Sequence, residues 1–522
     1  MADLEERPEE TTTPDPPRTW GTWDWIAVAV VTLIGGALRL VRLSVPDRIV
    51  FDETYYAKDA CWFVNTSEQL CEISAEQSNV HPPLGKWLIA IGIRIFGYDS
   101  FGWRVAAAAA GTLTIVVLYL LARKLLRSTL AATLASGLLA FDLLHFVQSR
   151  ISMLDIFVPL FGTAAILFAV YDRDRFRPDL HLTTEPDDAR DVPIGNGLLD
   201  RPWRLAAGAS AGAAAACKWS GLFYLALVFV LVITWELAAR RADGRQYVFR
   251  RAFLQEAGSI VVWLVILPVV IYVVTYIGRL EGDFLSLTAP DSWWKALWDR
   301  HKYMFDFHIN LKSHHSYESP GWSWMLLKRP VSYYFDGETN AEIFAAGSPF
   351  VWWASILAFL YVIFRWIRNT YLSLTTKGGV GSFLRPEGVI VAGYLFTYGP
   401  WLLPSERPAV FLFYLLPTIP FMCLALAYVA AEIGRSWEAK AAVALFAAGT
   451  MGLFAFYYPL TAAVGIPKDD WDRRIWIFDK CDKPPGIPTE KTITETIGRR
   501  TRTRTQETTS DESLPPTGWC WI

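Results

Sequence analysis

Apolar residues in this chain arrive in long runs separated by short charged stretches. The first run, DWIAVAVVTLIGGALRLVRL, covers residues 24–43. Comparable runs cover approximately 103–122, 129–147, 151–171, 203–217, 219–238, 254–278, 349–371, 388–404, 408–432 and 438–460. Most approach the ~20 residues that a helix needs to cross a bilayer. The pattern predicts an all-α polytopic membrane protein with about eleven transmembrane helices. GKWLIAIGIRIFG (85–97) is too short to span and is predicted to lie along the membrane surface.

Charge orients these spans. RKLLR (123–127), DRDRFR (172–177), RRADGRQYVFRR (240–251), RWIRN (365–369) and GRSWEAK (434–440) are the basic connections. All fall on one side, which the positive-inside tendency makes the cytoplasm. The expected protein is therefore multi-pass in the plasma (inner) membrane, with a cytoplasmic N-terminus and an extracytoplasmic C-terminus. Arg39, Arg42 and Arg48 at the far end of the first helix run against this bias. Three segments then lie outside: 44–102, 279–348 and 461–522. The domain reading is a polar, disordered tail (1–20), a transmembrane unit (21–460) and an external tail (461–522), with 484–515 flexible. No internal repeat and no cleavable signal peptide are visible.

Composition agrees and adds little. The chain is 53% hydrophobic and 19% charged with net charge −2, so it carries no nucleic-acid signal. Its 24 Trp suit interfacial belts and sugar-stacking surfaces alike. Of the 6 cysteines, four fall in outer segments, where disulfides persist. Cys61 with Cys71 is the favoured pair and Cys481 with Cys520 the second; free thiols throughout is the alternative.

The polar groups of interest collect on the outer side. RIVFDETYY (48–56) brings Asp52 and Glu53 beside Tyr55 and Tyr56. NVHPPLGKW (79–87) holds His81 and Lys86 around two prolines that stiffen the turn. Arg104 opens the second span, QSRISMLD (148–155) carries Arg150, and CKWSGLF (217–223) carries Lys218 and Trp219. Singly, such cations snorkel to headgroups. As a set, including Arg39 and Arg42 on one helix face, they suit a phosphate on a lipid tail. A carboxylate beside such a cluster suggests sugar transfer from a lipid phosphate, with one base for the acceptor hydroxyl. Adjacent carboxylates diverge, so Asp52 or Glu53 serves as base, and spacing does not choose between them.

The stretch 301–335 holds four of the 7 histidines: His301, His308, His314 and His315. Histidine clusters bind Zn²⁺, but no compact ligand signature appears; a divalent metal is not indicated and no cofactor is required. The expected use is a cap over the active site, with His314, His315, Tyr317, Trp322, Trp324, Tyr333 and Tyr334 offering polar and stacking contacts. An interfacial loop resting on headgroups is the plainer alternative. Prolines in TYGPWLLPSERP (397–408) and YLLPTIP (414–420) kink late helices and shape a lipid groove.

Taken together, RIVFDETYYAKDA, HPPLGKW, Arg104 in GWR, QSRISMLD, CKWSGLF and HHSYESPGWSWMLLKRPVSYY resemble the bacterial branch of the protein O-mannosyltransferases, from Arg39 to the last span. The resemblance implies a GT-C fold with its active site at the outer face. It implies mannosyl transfer from polyprenyl-phosphate mannose to Ser or Thr of exported proteins. By that resemblance Asp52 is the base and Glu53 a second active-site carboxylate. Arg39 and Arg104 match the family's basic positions, toward donor phosphate or an ordered site, His81 and Lys86 its HPPL motif, and Lys218 and Trp219 its KW motif. The segment 279–348 is too short for the β-trefoil domain of eukaryotic relatives. Acceptor recognition then rests on the loop itself and on partners such as the export channel. The competing classes are a lipid-linked-sugar glycosyltransferase acting on a glycan or lipid, and a transporter. The latter commonly shows paired halves and midplane sites, neither of which this pattern offers.

Overall fold

The computed structural model describes residues 20–64, 68–72, 78–176, 200–242, 248–277, 292–375, 385–403, 408–434, 436–475, 488–497 and 500–509. Most of the N-terminal tail, parts of three basic loops, Cys481 and Cys520 lie outside them. The chain begins with α1 (Thr22–Leu40), α2 (Glu53–Val64), α3 (Glu68–Cys71) and α4 (Leu84–Phe96), the last being the expected short helix. It continues through α5 (Ser100–Leu126), α6 (Thr129–Ala140) and α7 (Leu143–Gln148). A 3₁₀ turn (Leu154–Ile156) leads into α8 (Phe157–Phe176). Then come α9 (Pro202–Cys217), α10 (Gly221–Ala242), α11 (Val248–Val261) and α12 (Leu267–Val274), the last two joined by a π-helical turn (Val262–Ile266).

The later half opens with α13 (Trp293–Asn310), a 3₁₀ turn (Gly321–Leu326) and the antiparallel pair β1 (Val331–Asp336) and β2 (Ala341–Ala345). It closes with α14 (Pro349–Thr375), α15 (Pro386–Thr397), α16 (Gly399–Leu402), a 3₁₀ turn (Leu412–Thr418), α17 (Ile419–Ile433), α18 (Trp437–Thr461) and α19 (Lys468–Arg474). Eight helical segments of the described residues are long and apolar enough to cross a membrane. The other three expected spans fold as the shorter helices α6, α9 and α15. The run 129–147 breaks because Asp142 caps a new helix, its carboxylate accepting the His145 N–H at 2.9 Å. Residues 488–497 and 500–509, expected to be flexible, pair as antiparallel strands β3 and β4. β4 alternates Arg and Thr over 500–505, a period of two that favours strands, and β3 is rich in β-branched Thr and Ile.

Buried ion pairs hold the helices together at the end opposite the site. Asp24 at the start of α1 accepts from Arg123 at 2.6 Å and from Thr129 at 2.7 Å, joining α1, α5 and α6. Arg204 is fully buried and bridges Asp172, Glu236 and Glu256 at 3.0, 2.6 and 2.7 Å. Arg201 and Arg240 join the same carboxylates, tying α8 to α11. Between helices, Gly208 lets α9 approach the π-helical turn, since a Cβ there would lie 1.7 Å from the Trp263 carbonyl oxygen.

Near the other end, three arginines finish backbone. Arg150 donates from Nη1 to the carbonyls of Leu38, Arg39 and Val41 and from Nη2 to that of Arg42, at 2.6–3.1 Å. Leu38, Arg39 and Val41 lie at the end of α1, where a cation suits open carbonyls, and the Arg42 carbonyl just beyond also accepts the Val45 N–H. Arg39 is fully buried and donates to Ser149, Gly35 and Ala140, with Nη2 2.8 Å from His145 Nδ1. Arg104 is fully buried too and donates to the carbonyls of Leu43, Pro46 and Arg48. Cys61 and Cys71 are joined by a disulfide, which ties α2 to α3; Cys217 and Cys423 are buried free thiols.

Candidate active site

Asp52 and Glu53 are neighbours in sequence with different surroundings. Glu53 is the first residue of α2 and is fully buried. Its Oε1 accepts from Arg104 Nε at 2.8 Å and from the Ser152 N–H at 3.0 Å. Its Oε2 accepts from Arg104 Nη2 at 2.9 Å and the Val50 N–H at 3.0 Å. Two oxygens thus carry four bonds, and the carboxylate is a structural tie between three segments.

Asp52 occupies the turn before α2, and its backbone carbonyl accepts the Tyr55 and Tyr56 N–H groups. Its side chain makes no hydrogen bond or ion pair among the described residues. Phe51 before it has φ of 46°, a left-handed conformation uncommon for a bulky residue and typical of a held functional turn. Packing against Tyr333 at 4.5 Å and Phe413 at 6.1 Å between ring centroids secures it.

Two cavities meet at Asp52. The larger, of about 660 Å³, is bordered by Tyr56, His81, Lys218, Trp219, His308 and Tyr414, with Phe223, Phe307, Trp401 and Phe411 supplying apolar wall. The smaller, of about 320 Å³, shares Asp52, Tyr55, Tyr56, His81, Lys218 and Tyr414 and adds Phe51, Thr54, His315 and Phe413. An apolar pocket with a few convergent polar groups is the usual form of a ligand site. Burial pushes the Asp52 carboxyl up to about 6, with the Lys218 ammonium drawing it back and Asp155 raising it. That suits a general base working near neutrality.

Lys218 lies between α9 and α10, its Nζ 2.8 and 2.9 Å from the two oxygens of Asp155 and 4.7 Å from the Tyr414 ring centroid. Burial works against its charge, but Asp155 and then Tyr414 outweigh it, and the pKa is raised. The Trp219 indole donates to Tyr272 at 2.9 Å, and its ring lies 5.6 Å from that of His308. His308 Nε2 lies 3.0 Å from the Val80 carbonyl oxygen, so it donates there, fastening α13 over the turn that bears His81.

Seven of the residues singled out from sequence therefore border the cavities: Asp52, Tyr55, Tyr56, His81, Lys218, Trp219 and His315. Arg39, Arg104 and Arg150 do not, and have the protein acceptors described above. Lys86 is fully buried, 3.1 Å from Asp59, and donates to the Ser78 carbonyl. His314 pairs with Glu318 at 2.9 Å, Tyr317 faces the Arg329 guanidinium, and Trp322 is exposed beneath Lys328. Trp324 is fully buried, its indole donating to Ser319. Three residues the sequence reading left without a role at the site are Asp155, His308 and Tyr414. Asp155 stood in a quoted motif and His308 among the histidines, but neither spacing pointed at Lys218 or Val80. No group of three His, Cys, Asp or Glu among the described residues is placed to hold a metal ion.

Residues 80–177 match the family described as dolichyl-phosphate-mannose-protein mannosyltransferase. Residues 293–480 match the C-terminal four-transmembrane region of protein-O-mannosyltransferase. The chain belongs to the protein O-mannosyltransferase family. Among curated relatives, the polyprenol-phosphate-mannose–protein mannosyltransferase of Mycolicibacterium smegmatis is 27% identical over 88% of this chain and 95% of its own. The proteins of that name from Mycobacterium tuberculosis (87% of this chain, 91% of theirs) and Corynebacterium glutamicum (89% and 95%) are each 28% identical. Among solved structures, a chain of the Saccharomyces cerevisiae protein O-mannosyltransferase Pmt1–Pmt2 complex bound to the sugar donor aligns with a TM-score of 0.68. It is 16% identical and covers 88% of this chain and 93% of that one. The fold is GT-C, and the protein is a membrane glycosyltransferase.

Proposed function

We propose that this enzyme transfers mannose from polyprenyl-phosphate mannose to Ser or Thr hydroxyls of exported proteins, at the outer face of the plasma membrane, with inversion. The donor and the protein acceptor are those in the names of the bacterial relatives. The observation that carries the mechanism is the unpaired Asp52 carboxylate where two cavities meet, beside the Lys218 ammonium.

In this reading the acceptor hydroxyl oxygen attacks the anomeric carbon and its proton passes to Asp52. The bond from that carbon to the phosphate oxygen breaks, and its electron pair leaves with the phosphate. Lys218 meets the charge that develops there, and Trp219 borders the donor cavity. Glu53, held by Arg104, fixes the turn from which Asp52 projects. Arg39, Arg104 and Arg150 act through that framework. His315 faces the smaller cavity, where the acceptor chain approaches. A β-linked donor gives an α-linked product.

The test is incubation of the purified protein with polyprenyl-phosphate mannose and a Thr- and Pro-rich peptide, read by mass spectrometry. Mannosylated peptide is expected, with its anomeric configuration read by NMR. Mannosylated lipid without mannosylated peptide would move the acceptor to lipid. Retained transfer by Asp52→Asn would remove Asp52 as the base.

A further inference from the structure

We propose that Asp155 is a positioning residue that holds the Lys218 ammonium away from Asp52, leaving Asp52 free to take a proton while the lysine faces the departing phosphate. The inference rests on the reading of function given above. Among the described residues, Asp52 is the sole carboxylate on the walls of either cavity, and Lys218 borders both. A buried ammonium beside a buried carboxylate forms an ion pair when nothing competes for it. Asp52 nevertheless has no ion pair, because Asp155 takes the lysine with both oxygens.

Asp155 is 5% exposed and sits on the 3₁₀ turn that starts α8, behind the cavity wall. Lys218 follows the last turn of α9 in extended backbone, with φ −157° and ψ 144°. The two residues are thus brought to one spot by different helices. An ammonium has three N–H donors. Two go to Asp155, and the third remains for a ligand. The Tyr414 ring lies against the same Nζ and narrows its freedom further. The arrangement turns a flexible lysine into a single directed donor.

Several other groups border the site and can titrate. Tyr55 and Tyr56 come from α2, His81 from the turn before α4, Tyr303 and His308 from α13, and His315 and Tyr414 from later segments; Tyr333 stacks on Phe51 nearby. Burial, together with nearby carboxylates, keeps Tyr56 and Tyr333 neutral. All are common to the wild type and the variants below, so a difference between profiles reports the charges that change. Removing Asp155 takes away a negative neighbour of Asp52 and frees a positive one. Both effects favour the Asp52 carboxylate and weaken it as a base. Removing the Lys218 charge does the reverse.

The experiment is the pH dependence of kcat/KM for mannosyl transfer to peptide, measured on the full-length protein in detergent after gel filtration confirms a monodisperse peak. Asp155→Asn is expected to move the acidic limb down by about one pH unit and to lower kcat at least tenfold. Lys218→Gln is expected to move the limb up. Asp155→Glu keeps the charge and is expected to leave the limb in place with part of kcat restored. An unmoved limb in Asp155→Asn, or limbs moving the same way in Asp155→Asn and Lys218→Gln, overturns the proposal. Should Asp155→Asn fail to fold, Lys218→Gln decides it, because an unmoved or lowered limb there overturns it equally. Wild-type protein that transfers no mannose to peptide overturns the reading of function instead, a different result from transfer with unmoved limbs.

Discussion

At one end of α9, Arg201 and Arg204 meet Asp172, Glu236 and Glu256, and Arg240 joins the last two; at its other end, Lys218 is paired while Asp52 beside it is not. Both places bury charge. In the first, three cations and three carboxylates pair with one another across α8 to α11, and the product is a fixed junction. In the second, one carboxylate is left facing a cavity, and the product is a group open to a ligand. Buried charge therefore does not by itself mark a site. A charge whose partner has been taken elsewhere, with an opening in front of it, does. Asp52 and Glu53 repeat the contrast at a separation of one residue.

The predictions test that contrast. The largest effect is expected for Asp52→Asn: transfer falls by about two to four orders of magnitude, while donor binding, measured by retention of labelled lipid, is kept. Because burial raises the Asp52 carboxyl from its ordinary 3.8 to about 6, its ionised form costs stability. That contribution to stability is present at low pH and is lost as pH rises from about 4 to about 6, the folded state binding the extra proton in that window. Asp52→Asn is therefore expected to unfold no earlier than wild type at pH 7, in a detergent thermal melt. Glu53→Gln should do the opposite, with a loss of about 3 kcal/mol, since the Arg104 guanidinium is left buried without its counter-charge. A Glu53→Gln protein as stable as wild type would break the distinction between the two carboxylates.

At the far end, Arg204→Ala is expected to destabilise by about 3 kcal/mol through the uncompensated carboxylates it leaves. Its kcat per folded molecule should stay unchanged, and a lowered kcat there would tie the junction to the chemistry. The Cys61→Ser change is expected to cost about 2 kcal/mol by opening a loop of 10 residues' separation, read as an earlier melt under non-reducing conditions. The smallest effect concerns pH alone: wild-type kcat/KM should fall below about pH 6 as Asp52 is protonated. A profile flat down to pH 5 would remove the carboxylate from the rate-limiting step.

Much of the helical frame was legible because bilayer-length apolar runs carry their own punctuation. The run 129–147 misled, since only the side-chain bond of Asp142 divides it into α6 and α7. Motifs led to Asp52, His81, Lys218 and Trp219, which converge in one cavity. The partners were hidden for a physical reason. Asp155 reaches Lys218 across 63 residues, and His308 reaches Val80 across 228, through helix packing that no local period encodes. Arg39, Arg104 and Arg150 were legible as unusual cations, but their acceptors are backbone carbonyls and buried side chains, which a sequence does not display. The 488–509 segment shows the converse: its bulk composition suggested flexibility, while its β-branched Thr and Ile and the Arg–Thr alternation over 500–505 favour strands.

The cap on α1 has a consequence for assembly. At the end of the first helix, the carbonyls of Leu38, Arg39 and Val41 are met by Arg150, up to 112 residues later in the chain. The helix that is synthesised first is thus completed only when the segment before α8 has emerged and turned back upon it. Until then its end offers open acceptors, so a chain halted before residue 150 would carry an unfinished first helix, even with Arg104 already available to Glu53. The first helix to be made is thus not the first to be finished.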